Sequence, residues 1–463
     1  MSGHNEAALQ NYLQKADRAF RDNKPGEAYH ILRRGLKAAP GHPLLLLRSG
    51  NAAYLLGLRQ AAESFFIKAI DAAPGMGEAH NNLGKLFLEE GRIDDAIVRL
   101  QCAARCLPHS PLPLIALSSA FLKLSRFNEA EHSCREAIKR SPNSATAHYN
   151  LALILLAQGR FEEGWQEYEW RWDSAEFPTK RREFAVPIWE GGRLEGISIL
   201  VHAEQGLGDT IQYARFIPVL AERTGATVHV ACHPELVALL STLTNVSTVI
   251  PFSQIANSRA DRHVPLISLP YLLDIIMDMV PQEPYLGIDP ERSEYWRELL
   301  QGDQSFKIGI AWDGKKIPDP FRSCPLEELE PLFRRPGATF HSLQVGYASR
   351  QIRTCGSGIT LRDHSTSITC FADTAALIGC LDLVISIDTS VAHCAGALGK
   401  ETWMMLPCYP DWRWMLPGEE KTVWYPSVRI FRQHKHNSWD NVVSSIASAL
   451  ENRMQCSSTP SER

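Results

Sequence analysis

Leu381-Asp-Leu-Val-Ile-Ser-Ile-Asp-Thr-Ser-Val-Ala-His-Cys-Ala-Gly-Ala-Leu-Gly-Lys-Glu-Thr-Trp-Met-Met-Leu-Pro407 is the stretch whose reading decides the fold. Leu381 to Ile387 and Glu401 to Leu406 are apolar runs, the first rich in β-branched residues, and both read as buried strands. Between them stand Asp388-Thr389-Ser390, a helix of small residues from about Thr389 to Leu398, and Gly399 as its stop. The whole is a strand, helix, strand unit of a parallel sheet. In such units ligands gather at the carboxyl ends of the strands, where a helix start offers unpaired N–H groups and roughly half a positive charge to an anion. A nucleotide diphosphate is the natural guest. The alternative is that Asp388 or Thr389 only caps its own helix.

Working outward, 463 residues make room for roughly three domains. With 44% hydrophobic and 22% charged residues the chain can bury sizeable cores, and a net charge of −4 gives no reason to expect nucleic acid as a partner. The first residues lack a basic segment followed by an apolar one, and no apolar run reaches about 18 residues, so a cytoplasmic protein without a transmembrane segment is expected. The eleven cysteines include no Cys-x-x-Cys pair. Cys102 and Cys106, one helical turn apart, read as packing thiols rather than metal ligands.

Residues 8 to 175 are a repeat array. Pro40, Pro74, Pro108 and Pro142 are evenly spaced, and the same 34-residue step joins Ala28, Ala62, Ala96, Ala130 and Gly164, and again Gly57, Gly91, Ser125 and Gly159. Three series in one phase fit tetratricopeptide helix pairs: helix, tight turn, helix, proline stop. About four and a half repeats are expected, stacked through small residues into a solenoid whose concave face takes a peptide or protein. Asn82, Lys85 and Asn150 are candidates for that face. Self-association or support of the following domain is the other role open to it.

A tryptophan-rich junction, Trp165 to Trp172, reads as a cap, and residues 176–195 as a linker or cap containing Lys180-Arg181-Arg182. From Ile197 short apolar strands alternate with helices. Strands are expected at Ile197–Val201, Thr227–Ala231, Val246–Ile250 and Val264–Ile267, with one helix from Thr210 to Arg223. One α/β domain thus spans about 196–295, a second about 305–452, and a tail 453–463. The loop His202-Ala-Glu-Gln-Gly-Leu-Gly-Asp209 is not the dinucleotide fingerprint, because its third glycine is missing.

His202 to Arg215, Phe371-Ala-Asp-Thr-Ala-Ala-Leu-Ile378, Ile385 to His393 and Pro410-Asp-Trp-Arg-Trp414 together resemble bacterial tetratricopeptide proteins with a C-terminal glycosyltransferase family 9 domain, itself similar to the lipopolysaccharide heptosyltransferases. The resemblance covers nearly the whole chain. It implies an α-solenoid followed by a GT-B pair of Rossmann-like α/β domains. It also implies inverting transfer from a nucleotide-sugar without metal or cofactor, with the acceptor on the first domain and the donor on the second.

Carried over by position, Asp209 matches the catalytic base, with Gln205, Gly206 and Gly208 in its acceptor loop. Asp388, Thr389, Ser390 and His393 match the donor-binding segment, and Arg322 matches the basic residue at the donor phosphates. Residues 313–321, Asp-Gly-Lys-Lys-Ile-Pro-Asp-Pro-Phe, depart from the Asn-rich loop of the relatives. The expected function is a glycosyltransferase whose repeats recruit a protein or glycan acceptor. A binding protein that keeps the cleft without turnover and a sugar-nucleotide epimerase or hydrolase are the rival classes. For Asp209 the competing role is helix capping, with Glu204 as the next candidate base.

Overall fold

The structure is a computed structural model that describes residues 3–457 apart from 317, 318, 320, 355–359 and 415–419. Residues 317, 318 and 320 of the divergent loop and 458–463 of the expected tail lie outside the described residues. The tail assignment is corrected at its other end. Asp440–Ser457 is one helix, so the last element runs on past residue 452.

The repeats form five helix pairs among the described residues: Gly3–Arg21 with Pro25–Ala38, Pro43–Leu55 with Arg59–Ala72, Gly77–Glu89 with Ile93–Cys106, Leu112–Lys123 with Phe127–Arg140, and Ala145–Ala157 with Phe161–Tyr168. The count exceeds the expected four and a half because the first helix starts at Gly3 and the fifth pair is present, though its second helix has only 8 residues. The turn inside each pair requires a left-handed residue. That slot is filled by Asn23 (φ 54°), Gly57 (72°), Gly91 (75°), Ser125 (55°) and Gly159 (77°). Glycine enters this region without cost, and asparagine tolerates it. Ala28, Ala62, Ala96 and Ala130 are fully buried where paired helices touch. His80 and His148, two repeats apart, contact the carbonyls of Pro74 and Pro142 through Nε2 at 3.0 and 2.9 Å.

The chain divides into two compact units. One is the chain up to Ile154 together with Asp173–Glu176; the other is Leu155–Trp172 together with the chain from Phe177 onward. Ahead of the limit expected at residue 175 the chain thus alternates: Leu155–Trp172 groups with the α/β unit, and Asp173–Glu176 with the repeats. Trp165 is buried with its ring 5.9 Å from Tyr213 and 6.0 Å from Trp412, and Arg171 is buried against Glu204, so Leu155–Trp172 shares the core of the α/β unit. Residues of the expected linker or cap, 176–195, also contact the first sheet. Ile188 bridges His263 in parallel, and the Trp189 N–H donates to the His263 carbonyl at 2.8 Å.

Within the second unit lie two wholly parallel sheets. The first contains β1 (Ser198–His202), β2 (Thr227–Cys232), β3 (Val246–Pro251) and β4 (Arg262–Pro265) in the order β3-β2-β1-β4. The second contains β5 (Phe306–Ala311), β6 (Ala338–Ser342), β7 (Arg362–Asp363), β8 (Leu383–Ile387), β9 (Thr402–Leu406) and β10 (Val428–Arg432) in the order β10-β9-β8-β5-β6-β7. Every residue of β8 and β9 is buried, as continuous apolar runs covered on both faces should be. Fold class and both sheets agree with the expected solenoid and α/β pair.

Two details differ. The single helix expected over 210–223 is two, Leu207–Ala214 and Phe216–Thr224, because Pro218 has no N–H to give the Ala214 carbonyl. The domain limit at residue 295 cuts the helix Pro290–Leu299, which packs on Phe371–Gly379 of the second half with the Arg292–Asp373 ion pair between them, while its fully buried Trp296 lies edge-on to His364 of the same half.

Candidate functional site

Each sheet reverses its winding direction at one place. In the first, the chain builds outward from β1 through β2 to β3 and returns to set β4 on the other flank of β1; in the second, it builds from β5 to β7 and returns to set β8 beside β5. Ligands of doubly wound sheets lie beyond the strand ends at such reversals. The turns there carry the residues singled out from sequence: 203–209 after β1, the described residues 312–316 and 321–323 after β5, and 388–390 after β8. The helices that leave β1 and β8, Leu207–Ala214 and Ser390–Ala397, pack against each other, so the turns meet.

Gly208 makes that meeting possible. A Cβ there would stand 2.8 Å from His393 Cδ2 and 3.5 Å from the Ser390 Cα. Neither Gly206 nor Gly208 has a positive φ, so what glycine supplies at 208 is close approach between two helices rather than a left-handed backbone. Gln205 turns away and donates its amide to the Tyr168 hydroxyl at 3.0 Å.

Asp209 is the third residue of its helix, not the N-cap. Its Oδ2 accepts the Gly206 N–H at 3.0 Å, which caps the helix from inside, while Oδ1 accepts from Arg413 Nη2 at 2.7 Å. The Arg413 side chain is 9% exposed and also donates Nη1 to Asp411 Oδ1 at 2.9 Å and Nε to Gln212 Oε1 at 2.7 Å. It was visible in sequence only as the arginine of Asp-Trp-Arg-Trp, without a role. Arg215, likewise unassigned, is buried and joins the halves: it donates to the Trp424 carbonyl, to Pro281 O at 3.2 Å and to the Tyr285 hydroxyl at 3.2 Å. Glu204, the reserve candidate for a base, is committed elsewhere. Its carboxylate receives Arg171 Nη2 at 3.0 and 3.1 Å and the Ile267 N–H at 2.9 Å, out of reach of solvent.

On the second half, Thr389 stands at the N-cap of Ser390–Ala397 but its side chain does not cap the helix; its Oγ1 lies 3.2 Å from Ser386 Oγ. Among the described residues the N-cap side chain thus leaves the first-turn N–H groups open to another acceptor. Arg322 donates Nε to the Lys315 carbonyl at 3.0 Å, and its side chain meets Thr389 over Gly314, where a Cβ would come within 3.0 Å of Arg322 Nε and 3.3 Å of Thr389 Cγ2. Arg322 and Thr389 therefore belong to one half and flank one spot. His393 is buried, with Nδ1 2.9 Å from the Tyr425 hydroxyl and Nε2 3.7 Å from Asp388 Oδ1. Burial, reinforced by Arg413, Arg215 and Arg322, drives its pKa far down, so the ring is neutral.

Burial and the nearby Asp411 charge push the Asp388 carboxyl up to about 6, although Arg322 and Arg413 pull the other way. A carboxyl whose folded-state pKa is raised stabilises the fold while protonated, below about pH 4, and loses that contribution as pH rises through about 6. The shift of about two units corresponds to on the order of 2–3 kcal/mol. Asp388→Asn, which cannot ionise, is expected to be more stable than the parent at pH 7.5 by up to that amount, with the gap narrowing to about a third near pH 4.5. Urea unfolding at the two pH values measures it, and an equal gap at both would contradict the assignment.

Among the described residues no cluster of three or more His, Cys, Asp or Glu side chains could hold a metal ion. Nor is any described helix long and apolar enough to cross a membrane.

A tetratricopeptide repeat model matches residues 13–76, 57–111 and 115–169. Over 452 residues, 92% of this chain and 70% of that protein, the sequence is 26% identical to Protein FlbA of Caulobacter vibrioides. It is 34% identical over 82 residues to Protein O-mannosyl-transferase tmtc2 of Xenopus laevis, spanning 17% of this chain and 10% of that protein. Among solved structures it is similar to E. coli ADP-heptose lps heptosyltransferase II, with a TM-score of 0.44, 14% identity, and 57% of this chain and 100% of that chain covered. It is also similar to MamA from Desulfovibrio magneticus RS-1, with a TM-score of 0.32, 19% identity, and 37% and 94% covered. Across the three matched spans, the helix pairs of this chain are tetratricopeptide repeats.

Proposed function

We propose that this chain is a cytoplasmic glycosyltransferase of the family 9 type, which moves a sugar from a nucleotide-sugar to an acceptor recruited by its repeats. The observation that carries the proposal is the meeting of the two reversal points: Asp209 stands on the first-half helix that packs against Ser390–Ala397, and Arg322 and Thr389 of the second half flank one spot at the start of that helix. In this reading the N–H groups of Ser390–Ala397, the Thr389 and Ser390 side chains and Arg322 hold the donor diphosphate without a divalent ion, since they supply the charge complementarity themselves. Asp209 takes the proton of the acceptor hydroxyl as its oxygen attacks the anomeric carbon. The leaving diphosphate departs on the opposite side, giving inversion.

Thermal-shift screening with ADP-, UDP-, GDP-, CMP- and dTDP-sugars tests the donor, because a ligand at about 100 times its Kd adds roughly 2.7 kcal/mol. One class is expected to stabilise the protein in the presence of EDTA. Stabilisation by none removes the donor reading; binding without acceptor-dependent nucleotide release favours a scaffold that keeps the cleft. Deleting the repeats upstream of Ala145 is expected to abolish modification of a protein acceptor and leave donor binding intact.

A further inference from the structure

Asp209 is held in a way that a free general base is not. One of its oxygens caps the helix through Gly206 N, and the other is taken by a guanidinium from the opposite half at 2.7 Å. A charge-assisted bond of this kind occupies the oxygen that would accept the acceptor's proton. The guanidinium has a second carboxylate, Asp411, on its own half, which anchors it when the Asp209 contact is lost. Beside it, Gln212 is fully buried, spends its carbonyl on Arg413 Nε, and leaves its amide Nε2 without a partner among the described residues. The hydroxyl of the buried Tyr213, whose ring lies 5.8 Å from the same guanidinium, is also unmet among the described residues. Buried donors left over beside a cation are costly unless an acceptor arrives, and an anionic oxygen would satisfy them.

We propose that Arg413 is a positioning residue that keeps Asp209 in place and inactive until the diphosphate binds. A phosphate oxygen then replaces Asp209 Oδ1 on the guanidinium and frees that carboxylate oxygen for the acceptor proton. The exchange rests on the donor site proposed above and makes no covalent bond. One ion pair is traded for another, with Asp411 and Gln212 holding Arg413 throughout. Catalytic readiness is thereby tied to donor occupancy, which limits proton abstraction in an empty cleft.

Competition gives the exchange a thermodynamic signature. Inorganic pyrophosphate, the smallest diphosphate, serves as the probe, with its affinity for the full chain measured calorimetrically in EDTA. Asp209→Asn removes the competing charge and is expected to tighten pyrophosphate binding on the order of tenfold, the value of a charge-assisted bond. Arg413→Gln is expected to weaken it by a similar factor, and the double variant to match Arg413→Gln, because the gain from Asp209→Asn passes through the guanidinium. Arg322→Gln, the control, should weaken binding and leave the Asp209→Asn gain intact.

If Arg413→Gln does not fold, Arg413→Lys replaces it and should keep part of the affinity with a smaller Asp209→Asn gain. A purely structural Arg413 predicts no tightening from Asp209→Asn, or the same tightening with and without Arg413; either result overturns the exchange while leaving the donor site standing. No pyrophosphate binding by any folded variant overturns both.

Discussion

Asp209→Asn is expected to lower turnover on the order of 10²- to 10⁴-fold, the usual range for loss of a general base. Asparagine still accepts the Gly206 N–H through its amide oxygen, so the helix start keeps its cap. It cannot take a proton from the acceptor. The substitution also ends the charge pairing with Arg413, a guanidinium that retains Asp411 and Gln212, so a modest drop in melting temperature should accompany the kinetic loss. The two consequences separate in the kinetics. A base loses kcat while diphosphate affinity holds or improves, whereas a merely structural defect lowers both in proportion to the unfolded fraction. Near-parental turnover in a folded Asp209→Asn protein would return the residue to capping alone. Glu204 would not inherit the role, because Arg171 and Ile267 already occupy its carboxylate.

The largest effect on stability is expected from Arg171→Met. Arg171 has no exposed side-chain surface and stands between Glu204 and Glu169, with Ser268 Oγ 2.8 Å from Nη2. Removing it strands the Glu204 carboxylate in an apolar core, a loss of about 3–5 kcal/mol. Burial already raises the Glu204 carboxyl above its ordinary range even with the guanidinium beside it. Without Arg171 the group should bind a proton more readily still, so the penalty should shrink as pH falls and the carboxyl becomes neutral. Urea unfolding at pH 5 and pH 8 tests this; a loss under about 1 kcal/mol at pH 8 would mean that the pair contributes nothing beyond its packing.

The difference between these two residues explains what the sequence could disclose. Fully buried parallel strands such as β8 and β9 are continuous apolar runs, and the repeats announce themselves by period, so architecture was open to inspection. The series Gly57, Gly91, Ser125 and Gly159 already includes a serine, and one step back along it stands Asn23, since the period points to a conformation that neither side chain advertises. The break at Ala214 was signalled by Pro218 and overlooked.

Long-range pairing had no such signal. Asp209 and Arg413 are 204 residues apart, and Arg171 and Glu204 belong to segments that read as a cap and a loop. Nothing local distinguishes a carboxylate aimed into a cleft from one sealed beneath it. Only packing assigns Glu204 to the interior and Asp209 to the meeting of the turns.

The grouping of Leu155–Trp172 with the α/β core has a consequence for how such a chain can be recombined. A splice at the apparent end of the repeats, near residue 175, would hand Trp165 and Arg171 to the wrong fragment and leave Glu204 and Tyr213 facing a hole. A splice upstream of Ala145 keeps them with their partners. Whole 34-residue modules can therefore be added, removed or exchanged ahead of that point, while the closing helix travels with the domain it seals as a single heritable cassette.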